Sequence, residues 1–241
     1  MRTSPTKRFL MGVSIAVLAI HTAAQPTPTD TNGKDTSDKI QEPQIPIELK
    51  DAGTVYHTIN GKQAQVTFTS KAPLQSIVGK SNAVVGYTIA GPADAPAKLV
   101  GAQWLLPVES LATGIPLRDD HLAHEWLHAK DFPTITFKLT ATEEITPIKS
   151  GDGFSTWSLT LVGDMRIRGH TRSIRVEGAK LSFLDASEKT AKIAPGDLCF
   201  LKCDYKIKLS DFGIEHPDVP DKVSDEIKLT QLLRLSTVAK E

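Results

Sequence analysis

Between Leu201 and Leu209 the chain places Leu201, Cys203, Tyr205, Ile207 and Leu209 at every second position, with Lys202, Asp204, Lys206 and Lys208 between them. Successive side chains of an extended strand point to opposite faces, so this stretch makes a strand with one apolar face and one charged face. The same period of two runs through Val66 and Phe68; Val85, Tyr87 and Ile89; Ile135, Phe137 and Leu139; and Trp157, Leu159 and Leu161. It returns at Met165 and Ile167, Ile174 and Val176, Leu181 and Phe183, and Ile227, Leu229, Leu233 and Leu235, while Lys98 to Pro107 is a further candidate. A helix needs its apolar residues three or four apart, so these runs predict an all-β protein.

Turn residues punctuate the runs at Gly91-Pro92, Gly151-Asp152-Gly153, Pro195-Gly196-Asp197, His216-Pro217 and Val219-Pro220. About eight strands joined mostly by short turns, with one or two short helices, predict an antiparallel sheet that curls on itself. Alternation alone does not separate a sandwich from a barrel. In a barrel the inward faces gather Phe68, Ile135, Phe137, Trp157, Leu159, Leu161, Tyr205, Ile207 and Leu229. An interior of that size is either filled by side chains or leaves room for one small ligand.

The flanks bound the setting. Arg2, Lys7 and Arg8 precede an apolar run from Phe9 to Ile20, followed by the small residues Thr22-Ala23-Ala24. That order predicts a secretory signal peptide over residues 1–24, and therefore a periplasmic or secreted protein. Residues 25–46 are rich in Pro, Thr, Asp and Lys and read as a flexible linker, leaving 47–241 as the folded domain. No later segment is apolar enough to span a bilayer. Twenty-eight basic residues balance 28 acidic ones, with no run of Lys or Arg to track a phosphate backbone, so nucleic acid is not an expected partner. Cys199 and Cys203 are the two cysteines. Four residues along a strand put their α-carbons about 13 Å apart, beyond the roughly 7 Å limit of a disulfide, so they read as buried thiols on one face.

One motif points elsewhere. His124, Glu125 and His128 spell His-Glu-x-x-His, with His121 one turn earlier. On an α-helix the two imidazoles of that motif share a face and can hold Zn²⁺ while the Glu polarises its water, which would make a zinc-dependent hydrolase. The setting argues against it: Lys130 and Asp131 follow at once, Pro133 ends the segment, and no second helix supplies a floor. The sequence has no Gly-x-Ser-x-Gly elbow, no phosphate loop and no dinucleotide-binding glycine pattern. No catalytic residue, metal or cofactor is therefore expected.

From about Thr54 to Thr237 the chain resembles the YceI-like proteins. The resemblance is carried in order by Val66-x-Phe68, Leu111-x-Thr113-Gly114-x-x-x-Arg118-Asp119-x-His121-Leu122, and Phe132-Pro133-x-Ile135-x-Phe137. It continues with Val162-Gly163-Asp164-Met165-x-Ile167-x-Gly169-x-Thr171, Leu209-Ser210-Asp211-Phe212-Gly213-Ile214 and Val223-x-Asp225-x-Ile227-x-Leu229. It implies a lipocalin-like barrel in the bacterial envelope that carries a polyisoprenoid, a quinone-like molecule or another long-chain amphiphile, without catalysis and linked to stress responses. It also puts Arg118, Asp119 and His121 in a segment across the barrel mouth, where Arg118 either pairs with Asp119 or meets the ligand head. His124, His128 and the two cysteines lie outside the resemblance. A homodimer, and a packed barrel that binds a protein partner, stay open.

Overall fold

The period-two pattern resolves into ten strands of one antiparallel sheet in the computed structural model, which describes residues 41–239. The strands are β1 (Val55–Thr58), β2 (Val66–Lys71), β3 (Ser76–Ser81), β4 (Val85–Ile89), β5 (Gly101–Pro107), β6 (Thr134–Gly151), β7 (Phe154–Ile167), β8 (His170–Leu184), β9 (Leu198–Lys208) and β10 (Glu226–Ser236). A short helix, α1 (Pro116–His121), runs straight into a π turn over Leu122–Trp126. The signal-peptide stretch 1–24 and linker residues 25–40 lie outside the described residues. Residues 41–46 carry neither helix nor strand. Among the described residues no helix is long and apolar enough to cross a membrane.

The sheet closes. Its order is β1-β4-β5-β6-β7-β8-β9-β10-β2-β3, and β1 also pairs with β10. β2 lies along residues 227–231 of β10, and β1 along residues 235–236. On their other sides β2 pairs with β3 and β1 with β4. Thus β1 and β2 lie end to end as one interrupted strand, as do β3 and β4. Ten segments occupy eight places around a closed antiparallel barrel, which settles the choice between barrel and sandwich. Closure leaves few unpaired edges to recruit another chain.

The longer strands merge runs that looked separate in the sequence. Trp157 and Ile167 belong to one strand, β7, and Ile174 and Phe183 to another, β8. Arg168 and Gly169 join β7 to β8 with φ of 48° and 79°. Two successive positive φ values match the handedness of a tight hairpin between twisted strands, and glycine takes such a value without strain.

One end of the barrel is solid. Leu159, Leu161, Leu181, Leu201, Leu233 and Leu235 are each 2% exposed or less, and Tyr56 and Phe183 pack there with ring centroids 5.7 Å apart. Each such leucine contributes about 1.5–3 kcal/mol by leaving water. The other end widens because β8 and β9 hydrogen-bond only from Lys180–Lys202 to Leu184–Leu198 and then part. The turn Ser210–Phe212 follows β9, with Phe212 and Ile214 buried in the core and Gly213 against His170 of β8.

Candidate functional site: a cavity at the open end

The hollow end encloses about 400 Å³. Inward residues of successive strands form its wall: Phe68 on β2, Ile77 on β3, Trp104 on β5, Ile135 and Phe137 on β6, Met165 and Ile167 on β7, Tyr205 and Ile207 on β9, and Ile227 and Leu229 on β10. Trp104 stacks on Phe137 at 5.2 Å with 12° between the rings. Two glycines give the aromatic walls their places. A β-carbon at Gly163 would sit 2.4 Å from the Phe137 ring, and one at Gly79 would sit 2.3 Å from the Phe68 ring. Burial pushes the Tyr205 phenol far above its ordinary pKa, so it stays protonated inside the cavity.

The sequence-predicted wall residues divide by height. Phe68, Ile135, Phe137, Tyr205, Ile207 and Leu229 line the cavity. Leu159 and Leu161 face inward but lie in the solid end, exposed by 1% and 2%. Trp157 is on the same face, partly buried against that core near the β6–β7 turn, where its indole N–H donates to Ser155 Oγ at 3.1 Å. The expectation that these three border the ligand space is corrected: alternation reports the face of a strand, not the depth along the barrel. Ile77, Trp104, Met165, Ile167 and Ile227 were not singled out as wall residues, although the last three sit on alternating runs already recognised.

A helical lid covers the mouth. Pro116 sits in the first turn of α1, where its missing N–H costs nothing. Ile115, Leu117, Arg118, His121, Leu122, Trp126 and Leu127 all reach the cavity. Trp126 stacks on His216 at 4.2 Å, tying the lid to the loop before β10. Asp119 fixes the lid's start: its Oδ1 accepts from Thr113 N at 2.7 Å and from Thr113 Oγ1 at 2.5 Å. Those bonds, the Thr113 hydroxyl first, hold the Asp119 carboxyl below its ordinary pKa, with nearby Arg118 adding to the effect. The Arg118–Asp119 pairing expected from adjacency is therefore replaced by Thr113–Asp119. Across the mouth, Lys222 Nζ donates to Asp218 Oδ1 at 2.7 Å.

The His-Glu-x-x-His segment does not form a zincin-type helix. α1 ends at His121, the π turn closes with Leu127 N–H donating to the Leu122 carbonyl, and His128 leaves with φ of 51°. His124 lies within the π turn, which ends at Trp126, and His128 lies beyond it in left-handed backbone, so the two are not carried on one continuous helix face. His121 instead lies 3.8 Å from Glu125, and His124 lies 3.6 Å from Asp120. Among the described residues no three His, Cys, Asp or Glu side chains converge to hold a metal ion. Cys199 and Cys203 are buried free thiols; burial raises both, Cys203 to about 12.

A family model described as the YceI-like domain matches residues 57–235. Among solved structures, BcnA of Burkholderia cenocepacia superposes with a TM-score of 0.52 at 21% identity, covering 71% of this chain and 95% of that one. A polyisoprenoid-binding domain from Saccharophagus degradans, implicated in plant cell wall breakdown, superposes with a TM-score of 0.51 at 12% identity, covering 76% of this chain and 98% of that one. At these identities the likeness speaks for the fold. No curated protein matches the chain.

Proposed function

The chain belongs to the YceI-like domain family, and from that premise we propose that it is an exported binding protein that carries a lipid-like chain in the hollow end of its barrel. The observation that supports this reading is a roofed cavity of about 400 Å³ walled mainly by aliphatic and aromatic side chains, with Arg118, His121, Asp218 and Lys222 gathered at its mouth. Cavities of about 300–1,000 Å³ with such walls are typical of small-molecule sites. Burial supplies about 0.8 kcal/mol per methylene, so a hydrocarbon chain binds there without catalytic chemistry. A relative of the same fold is described as polyisoprenoid-binding, in keeping with this assignment.

Export rests on the basic N-terminus, the apolar run Phe9 to Ile20 and the small residues Thr22-Ala23-Ala24. Protein recovered from the periplasm or medium is expected to begin at Gln25 on N-terminal sequencing. Retention of residues 1–24 would contradict the assignment.

The binding reading is tested by mass spectrometry of an organic extract of protein purified without detergent, together with calorimetric titration of a hydrocarbon-chain ligand at several temperatures. One chain-bearing molecule per barrel and a negative heat-capacity change of binding are expected. An extract free of such molecules, together with no heat of binding, would overturn it.

A further inference from the structure

The mouth of the cavity has two borders, and one aromatic contact joins them. Trp126 and Leu127 line it from the lid, and Asp218, Lys222 and Val223 line it from the loop before β10. That loop is anchored. Val219 N–H donates to the His216 carbonyl at 3.0 Å, Lys222 and Val223 N–H donate to the Asp218 carbonyl at 2.8 and 3.0 Å, and Leu74 N–H of the β2–β3 turn donates to the Asp221 carbonyl at 3.0 Å. The carboxylate bonds of Asp119, by contrast, stay within the lid segment, at Thr113. The stack of Trp126 on His216, with 4.2 Å between centroids and 27° between planes, therefore crosses from the lid to a fixed loop.

His216 is held so that a proton changes its bonding. Its Nδ1 accepts from the Asp218 N–H at 3.1 Å, so the neutral ring carries its hydrogen on Nε2. Asp218 Oδ2 lies 3.6 Å from the same Nδ1. Asp218 keeps its charge: the bond from Lys222 Nζ to its Oδ1, at 2.7 Å, holds the carboxyl below its ordinary pKa, with nearby His216 adding to the effect. Histidine is the side chain whose ordinary titration falls between about pH 5 and 8. A proton on Nδ1 replaces the bond from the Asp218 amide with a charge-assisted bond to Oδ2. It also sets a cation over the Trp126 ring, which is attractive within about 6 Å of the centroid. The other charged groups around the mouth do not take this role. On the lid, His121 stands 3.8 Å from Glu125 and His124 stands 3.6 Å from Asp120, while Arg118 stays charged throughout. On the loop, Glu215 and Asp221 form no ion pair with His216, and upstream Arg168 and His170 meet Gly213.

We propose that the Trp126–His216 stack is a proton-operated clasp that closes the lid over the cavity more firmly as pH falls from about 8 to about 5.5. The proposal deepens the binding reading above by naming how that site is regulated, and it rests on that reading for the guest. Linkage fixes the sign. The closed lid offers a protonated His216 both the Asp218 carboxylate and the Trp126 ring, whereas the open lid leaves it the carboxylate alone. The closed form therefore binds the proton more tightly, and acid favours closure. Asp119, whose carboxyl is held low, stays ionised across this window, so the start of the lid does not change with it.

The test uses the whole mature protein and two measurements between pH 8 and 5.5. In guest-free protein, hydrogen-exchange protection factors of the Leu122–Leu127 amides, corrected for intrinsic exchange, should rise about fivefold as pH falls. With myristyl alcohol bound, a probe whose own charge does not change with pH, its release into excess lipid vesicles should slow by about the same factor. His216→Phe keeps a ring on Trp126 but takes no proton, and should make both measurements flat in pH. Trp126→Leu, a second route to the same contact, should also abolish the pH response and should speed release at every pH. His121→Gln should retain the full response. A response that survives in His216→Phe, that disappears in His121→Gln, or that runs toward faster release in acid would overturn the clasp while leaving the binding reading intact. Lid protection that follows His216, with no binding of myristyl alcohol at any pH, would support the clasp and count against the binding reading.

Discussion

Asp119 shows how little holds the lid in place. One carboxylate oxygen accepts from both the amide and the hydroxyl of Thr113, just before α1 begins. Asp119→Ala should speed amide hydrogen exchange across Thr113–Leu127 without changing exchange in β9 and β10. Because the folded carboxyl is held low, its contribution is present above the ordinary carboxylate pKa of about 4 and is lost as pH falls through the lower folded value. Lid protection should therefore persist at neutral pH and fade only in acid. The buried thiols carry the opposite sign. Burial raises Cys203 to about 12 and Cys199 further, so their contribution is whole below about pH 8.5 and is lost as pH rises toward the folded values. Both should resist alkylation in native protein at neutral pH and react on unfolding. The burial of these cysteines was legible, because both fall on the apolar face of an alternating run. The partner of Asp119 was not: adjacency offered Arg118, while the backbone carried Thr113 into reach.

At the level of elements, β7 contains both halves of the molecule. Leu159 and Leu161 sit in the solid end, whereas Met165 and Ile167 border the cavity. Leu161→Ala should cost about 2–5 kcal/mol in urea unfolding, since its neighbours pack on all sides and the void stays empty. Ile207→Ala on β9 should cost less, because that side chain already borders open space, yet it should weaken a bound hydrocarbon chain more. A reversed order in either measurement would contradict the division between solid and hollow ends. The faces of these strands were readable from their period of two. Their height was not, since every inward position repeats the same signal whether it meets a leucine or a void. The lid shows a related gap between spelling and shape. His124 and His128 have the spacing of a shared helix face, but the helical segment ends at Trp126 and His128 follows in left-handed backbone.

For the whole molecule, closure depends on strands that the sequence displays only in part. Val66 and Phe68 marked β2 and Val85 to Ile89 marked β4, while β1 and β3 are too short or too mixed to show a clean alternation. They are nonetheless what seals the barrel: β1 closes the solid end between β10 and β4, and β2 with β3 walls the hollow one. The parting of β8 from β9 beyond Lys180 and Lys202 has no local signature either, because it follows from how two long twisted strands diverge. The central claim is that the open half of this barrel, and not its solid half, receives an apolar chain. Trp126 lines the cavity and Trp157 packs at the far end, so single-tryptophan variants retaining one or the other separate the two halves. Titrated with myristate, the protein retaining only Trp126 should show a saturable change in emission at one equivalent, and the protein retaining only Trp157 should show none. No response at Trp126, or equal responses at both, would contradict the account.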